Sequence, residues 1–264
     1  MGQSIRIITY NIRLNLPEDG ENAWPNRKNQ VVALLRFHQP DIFGLQEALI
    51  DQIEDIHSKL PMMNWVGVGR DDGKEAGEYS PLFYDSRRFT SLKEGWFWLS
   101  ETPEKRSLGW DAACNRTCTW VLLKELKTKQ KFMVFNTHFD HLGVKARLES
   151  AKLILQKIKE LNTGHLLVIL TGDFNMTPDQ EPISVLTTEL IDSKSVTSES
   201  PYGPIGTFNG FKFDNILKDR IDYIYVSTNI KVKQYAVLTD SKDLCYPSDH
   251  LPVFVNLELQ YEKK

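Results

Sequence analysis

Short apolar runs recur along the whole chain, and many of them end abruptly on a polar residue. Runs at residues 5–12, 41–46, 65–68, 81–84 and 89–99 are rich in Val, Ile, Phe, Tyr and Trp. So are runs at 118–126, 131–139, 165–171, 220–226, 231–239 and 251–259. These compositions predict strands. Three segments change to a helical period. Residues 25–38 hold Val31, Val32, Leu34, Leu35 and Phe37, with Pro25 in the first turn and Pro40 just beyond the end. Residues 49–60 place Ile53, Ile56 and Leu60 on one face. Residues 144–161 set Leu148, Ala151, Leu155, Ile158 and Leu161 on one stripe, with Asn162-Thr163-Gly164 as the stop. No repeat, low-complexity tract or linker interrupts the pattern. Strands therefore dominate a single domain over 1–264, and the architecture that fits is two packed sheets with helices outside.

The polar residues at the ends of these runs are unusual. In Ile169–Asp179 (ILTGDFNMTPD) an apolar run stops at Thr171-Gly172-Asp173-Phe174-Asn175. Side chains two apart on a strand face the same way, so Asp173 and Asn175 are expected to project together. Asn11 ends the first run, Gln46-Glu47 follow the second, and His138 closes a central one with Asp140 and His141 beyond it. Arg220 and Asp222 open a late run, and Asp249-His250 precede the last. Each has an ordinary reading: Asn11 closing a turn, Glu47 in a first helical turn, His138 as a core histidine, Asp222 paired with Arg220. Six separate coincidences are a poorer account than one shared site.

Composition narrows the chemistry. The chain has 264 residues, 41% hydrophobic and 25% charged, as ordinary globular domains do. Its net charge of -3 and pI near 6.1 lack the basic footprint of a tight nucleic-acid binder. No apolar run approaches the roughly 18 residues of a membrane span. The N-terminus enters a strand pattern at once without a signal-peptide pattern, and Arg6 stands where a myristoylation motif wants Ser or Thr. The compartment is left open between the cytoplasm and an exported form whose leader has been removed. Three cysteines, Cys114, Cys118 and Cys245, suggest reduced thiols. Cys114 and Cys118 have half a zinc spacing with no second pair, and read as small buried residues. Glu47, Asp173 and Asp249, with amides and few thiols, suit a hard cation, Mg2+ or Mn2+. His138 and His250 add proton transfer and hydrogen-bond donation to a phosphoryl group. Phosphoester hydrolysis needs this combination.

The ordered set TYNIR, LQEA, NTHFD, GDFN, RIDYIYVS and SDHLPV resembles the endonuclease/exonuclease/phosphatase superfamily, deoxyribonuclease I-like in fold, and within it the bacterial metal-dependent hydrolases. The motifs run over nearly the whole chain. The resemblance implies a four-layer α/β/β/α sandwich: two packed mixed sheets flanked by helices, with the site at the strand ends. It implies that Glu47 is the main metal ligand and that Asn11 and Asp249 complete the metal shell. By the same resemblance Asp173 orients or deprotonates the attacking water and Asn175 holds a phosphoryl oxygen. His250, oriented by Asp222, contacts the scissile phosphate, and His138 acts as general acid or transition-state donor. Whether Asp173 or His250 is the base stays open.

Departures from named branches narrow the substrate. The late motif reads Lys218-Asp219-Arg220-Ile221-Asp222 in place of the Pro-x-Trp-Cys-Asp-Arg block of inositol 5-phosphatases. His138 stands where apurinic endonucleases have tyrosine, and Thr177 where tyrosyl-DNA phosphodiesterases have arginine. Residues 95–120 hold four of the six tryptophans. Trp110, Asp111 and Arg116 in that segment are candidate substrate contacts, with His141 and Arg220. The implied activity is hydrolysis of a phosphodiester or phosphomonoester, with a sugar phosphate, nucleotide or lipid headgroup as the small substrate. A nuclease is the alternative, with nucleic acid the less favoured partner. A catalytically inactive binding module is the third reading. Oligomeric state is left open.

Overall fold

Twelve strands and four α-helices form in a computed structural model that describes residues 4–260. The strands are β1 (Ser4–Asn11), β2 (Ile42–Gln46), β3 (Met63–Val66), β4 (Leu82–Asp85), β5 (Phe89–Trp98) and β6 (Thr117–Glu125). They continue with β7 (Lys131–His138), β8 (Leu167–Asp173), β9 (Ile191–Asp192), β10 (Asp222–Val226), β11 (Ile230–Val237) and β12 (Val253–Leu259). The helices are α1 (Trp24–His38), α2 (Ile50–Lys59), α3 (Val144–Leu161) and α4 (Glu181–Leu186). Every expected strand and helix is present. The additions are α4, the two-residue β9 and two 3-10 turns at Pro17–Asn22 and Ser193–Ser195, all too short for a periodicity to show.

One six-stranded sheet has the order β11-β12-β1-β2-β4-β3 and the other β5-β6-β7-β8-β10-β9. Each is mixed: β1 with β2, and β7 with β8, run parallel, and the remaining named neighbours pair antiparallel. Strand alternation divides the apolar residues among three layers. Ile5 and Ile7 of β1 join Val134, Ile169 and Ile224 between the sheets. Ile8 and Tyr10 of the same strand pack outward with Val31, Leu35, Ile53 and Ile56 of α1 and α2. On the other side Phe135 and Leu170 pack against Ala151 and Ile154 of α3, with Ile183 and Leu186 of α4. The result is the expected four-layer sandwich. Among the described residues no helix is long and apolar enough to cross a membrane.

The inter-sheet face changes character along each central strand. Read towards the site, it runs Ile5, Ile7, Thr9, Asn11 on β1 and Val134, Asn136, His138 on β7. On β8 it runs Ile169, Thr171, Asp173, and on β10, in the opposite chain direction, Val226, Ile224, Asp222. A fully buried polar layer lies between the apolar half and the site. Gln46 Nε2 donates to Thr9 Oγ1 at 3.0 Å and to Asn136 Oδ1 at 2.7 Å across the two sheets. Thr171 Oγ1 donates to the same Asn136 oxygen at 2.9 Å, and Asn136 Nδ2 donates to Leu45 O and Pro81 O. Gly44 lies against this layer, where a Cβ would come within 2.5 Å of Asn136 Oδ1. Buried polar groups are costly unless paired, so a network this connected holds one relative placement of the sheets.

Candidate active site

The polar ends meet in a cavity of about 430 Å³ lined by Glu47, His138, Asp173, Asn175, Asp249 and His250, among others. Strand register assembles its centre. His138 of β7 and Asp222 of β10 both pair directly with Asp173 of β8. Asn11 spans the gap between sheets: its Nδ2 donates to Asp173 Oδ2 at 2.9 Å and to Glu47 Oε1 at 3.0 Å. Asp173 is the last residue of its strand. Asn175 therefore does not follow the strand alternation that was expected to align the two. It has a left-handed backbone (φ 51), and its N–H donates to Asp173 Oδ1 at 2.8 Å. This Asx turn brings its amide back beside His138.

Glu47 lies ahead of α2, between the end of β2 and the helix, and also has a positive φ of 61. Such a conformation costs a non-glycine residue on the order of 1–3 kcal/mol and is found where a side chain must be aimed. Its Oε2 accepts from Leu14 N at 3.2 Å, with Arg13 Nη1 3.9 Å away. Asp249 lies on the segment before β12. Its backbone oxygen accepts from Asn209 N and Gly210 N, and the neighbouring Ser248 Oγ donates to Asn11 O at 2.7 Å.

Two imidazoles converge on one carboxylate oxygen. His138 Nε2 is 3.5 Å and His250 Nε2 3.7 Å from Asp173 Oδ2. Behind His250, Nδ1 pairs with Asp222 Oδ2 at 2.9 Å. Behind His138, Arg116 Nη1 donates to Nδ1 at 2.9 Å, and Arg116 Nη2 donates to His141 Nδ1 at 3.2 Å. Burial opposes protonation of His250, but Asp222 and Asp173 outweigh it and hold its pKa well above the usual range. Burial together with Arg116 and Arg70 pushes His138 well below it. Burial and the neighbouring Asp222 raise the Asp173 carboxyl to about 7, with His250 and the Asn11 bond opposing. Burial, and the nearby Glu47 carboxylate, raise Asp249, against the pull of His250.

The donor set fits a hard divalent cation. The Glu47 carboxylate makes Asp249 costlier to ionise in the same cavity, and Asn11 adds a polar side chain there; a cation between them would relieve the repulsion. Asp173, Asp222 and His250 also have ligand atoms within 4.8 Å of one another. Within that cluster His250 Nδ1 bonds Asp222 Oδ2, and the two carboxylates favour the imidazolium, so it reads as a hydrogen-bonding triad.

Ten of the thirteen residues expected from the sequence gather here: Asn11, Glu47, Arg116, His138, His141, Asp173, Asn175, Asp222, Asp249 and His250. Trp110, Asp111 and Arg220 do not line the cavity. Trp110 borders a separate surface groove with Glu101 and Lys157. The Asp111 carboxylate accepts from Ala146 N at 2.6 Å and Lys145 N at 3.2 Å, and so caps the start of α3. Arg220 is buried against Asp192, with its guanidinium 4.3 Å above the Tyr223 ring. Among the described residues, the cavity also takes Arg13, Arg70, Glu78 and Phe208, which the sequence pattern did not mark. Arg70 and Glu78 flank a glycine-rich turn with Gly73 and Gly77 at positive φ. That turn was the available signal; it makes Arg70 Nη1 meet Glu78 Oε2 at 2.6 Å.

The sequence model of the Endonuclease/Exonuclease/phosphatase family matches residues 8–250. An endonuclease/exonuclease/phosphatase family protein of Bacteroides thetaiotaomicron has a solved structure that is 39% identical. The match covers 99% of this chain and 100% of that one, with a TM-score of 0.95. A mannosyl-6-phosphatase of the same organism is 40% identical over 96% of this chain and 99% of that one, with a TM-score of 0.92. A probable RNA exonuclease of Saccharomyces cerevisiae is 28% identical over 207 residues, 69% of this chain and 40% of its own length. The chain spans 29% to 59% of the length of the curated relatives it matches.

Proposed function

The chain belongs to the endonuclease/exonuclease/phosphatase family, and from that premise we propose that it is a divalent-metal-dependent phosphoesterase acting on a sugar phosphate monoester. The observation that supports this most is the convergence of two histidines, differently charged, on Asp173 beside the Glu47–Asp249 pair. Mg2+ or Mn2+ held by Glu47 and Asp249, with Asn11 beside them, would neutralise charge on the phosphoryl oxygens. Asp173, with its pKa near 7, is the group competent to take a proton from an attacking water at neutral pH. Asn175 and His138 sit together for contact with the phosphoryl group. His250, kept cationic by Asp222, donates to it from the other side. The bond from water to phosphorus forms as the ester P–O bond breaks. The proton Asp173 accepts is matched by one that the released alcohol takes from solvent water, and Asp173 returns its own to solvent afterwards.

A sugar phosphate is favoured by the extent of the resemblance to a mannosyl-6-phosphatase, which takes in nearly all of both chains. The size and charge of the cavity agree with it: about 430 Å³, with Arg13, Arg70 and Arg116 on its walls and no excess of cations over the chain as a whole. The similarity to a probable RNA exonuclease favours a second reading, a nuclease. One panel separates them. With Mg2+ or Mn2+, the purified chain is expected to hydrolyse mannose 6-phosphate and an aryl phosphomonoester faster than oligonucleotides, and EDTA is expected to abolish turnover. Preferential cleavage of RNA or DNA would replace the first reading with the second. Absence of turnover on every phosphoester would leave an inactive binding module.

A further inference from the structure

We propose that Arg116 is a positioning residue that fixes His138 as a neutral imidazole carrying its proton on Nε2, so that His138 serves as a hydrogen-bond donor and keeps its proton. The inference rests on the phosphoesterase reading of the same site, and it follows from counting donors. Arg116 is 94% buried, just ahead of β6, and its guanidinium reaches Nδ1 of both His138 and His141. A guanidinium has donors on every nitrogen, no acceptor, and does not give up its proton in proteins. Both Nδ1 atoms must therefore accept. A neutral ring has one N–H, which for His138 leaves Nε2, the atom 3.5 Å from Asp173 Oδ2 and facing the site.

Two neighbours could compete, and neither prevails. Asn175 Nδ2 lies 3.0 Å from the same Nε2 and 3.0 Å from Phe139 O. Nδ1 and Nε2 cannot both accept on a neutral ring, so one of the two contacts must change its donor. A half-turn of the amide exchanges its nitrogen for its oxygen, giving up the bond to Phe139 O; a guanidinium has no such alternative, and a charged donor binds more strongly. Glu78 could instead accept a proton from Nδ1. Its Oε2 is 3.9 Å from Nδ1, an ångström farther than Arg116, and it is held at 2.6 Å by Arg70. Arg70, His141 and His250 also bear on the ring, and each disfavours a second proton on it; the carboxylates of Glu78 and Asp173 face it at its two nitrogens.

The test reads the protonation directly. In nitrogen-15 spectra, with His138 assigned by its loss in His138→Gln, Nε2 should be protonated and Nδ1 bare from about pH 5.5 to 8.5. Arg116→Lys, which keeps a charged donor, should retain this state. Arg116→Met should let both tautomers appear and bring the titration into the measured range. Its kcat on an aryl phosphate should fall about 10–100-fold, as is usual for partners that orient a catalytic group, with KM moving less than threefold. A wild-type His138 signal from Nδ1–H or from an imidazolium at pH 7 overturns the proposal even if neither Arg116 variant folds. So does an Arg116→Met protein that raises KM alone with the His138 spectrum unchanged, which is the signature of a simple phosphate contact. The spectra need no turnover, so a chain that hydrolyses no phosphoester would defeat the phosphoesterase reading without touching the tautomer.

Discussion

His250 and His138 approach the same oxygen of Asp173, and both are nearly inaccessible, yet they rest on opposite charges. A carboxylate stands behind His250 and a guanidinium behind His138. Burial acts alike on both, against the charged form. What separates them is the partner at Nδ1, across the ring from the nitrogen that faces Asp173. One imidazole is a cation and the other a neutral donor within a few ångströms, which a site chosen only for exposed histidines would not produce.

Removing each imidazole breaks that comparison most directly. His250→Gln is expected to lower kcat by about 10³-fold, the upper end for a preorganised donor, because its charge is lost with it. His138→Gln should cost about 10²–10³-fold, the range for one preorganised donor. Steady-state rates on an aryl phosphate check both, and equal wild-type-like rates would dissolve the site. Changing the backing residue sharpens it. Asp222→Asn should lose about 10–100-fold and gain a pH dependence. Against burial, the Asp222 carboxylate does the most to hold the His250 pKa up. Without it the pKa falls, so the cation is lost as pH rises and the variant recovers in part on acidification. A flat profile parallel to wild type would refute this.

A smaller effect is expected one layer deeper. Asn136→Leu strands the buried acceptor Leu45 O and takes one acceptor from Gln46 Nε2, and should cost about 1–3 kcal/mol in urea unfolding. If the polar layer also aligns the two sheets, kcat should fall several-fold beyond what the fraction folded explains. The smallest effect concerns the anchor of the segment that carries Arg116. Burial pushes the Asp140 carboxyl up, but backbone N–H groups of Gly143, Leu142 and Ala113 outweigh it and hold the pKa down to about 2. A depressed carboxylate stabilises above its unfolded pKa near 3.8 and loses that contribution as pH falls through about 2. Asp140→Asn should therefore be less stable by about 1 kcal/mol at pH 7, after discounting for solvent screening, and no less stable near pH 2. A pH-independent difference would show that shape, not charge, is what Asp140 supplies.

The strands were legible because each central one is buried on both faces, which writes dense β-branched and aromatic runs into the sequence. The polar residues at their ends, which gather at one cavity, stood out because a polar residue on a buried face is costly unless something uses it. Trp110, Asp111 and Arg220 lie outside the cavity for a related reason. An acid near a helix start, or an arginine near an aromatic, satisfies capping or stacking as readily as it contacts a ligand, and composition does not say which. Arg70 and Glu78 went unseen because loop residues carry no periodicity to betray the direction they face.

The amino-acid order alone marked the strands, the helices and the polar residues at the strand ends, because alternation and burial are local; strand order and register then brought Asn11, His138, Asp173 and Asp222 together. Only tertiary structure decided charge. Whether an imidazole is a cation or a neutral donor depends on the group a hydrogen bond away, and Asp222 and Arg116 reach their histidines from 28 and 22 residues distant in the chain. Electrostatic energies follow distance in space and local burial, and a linear sequence states neither.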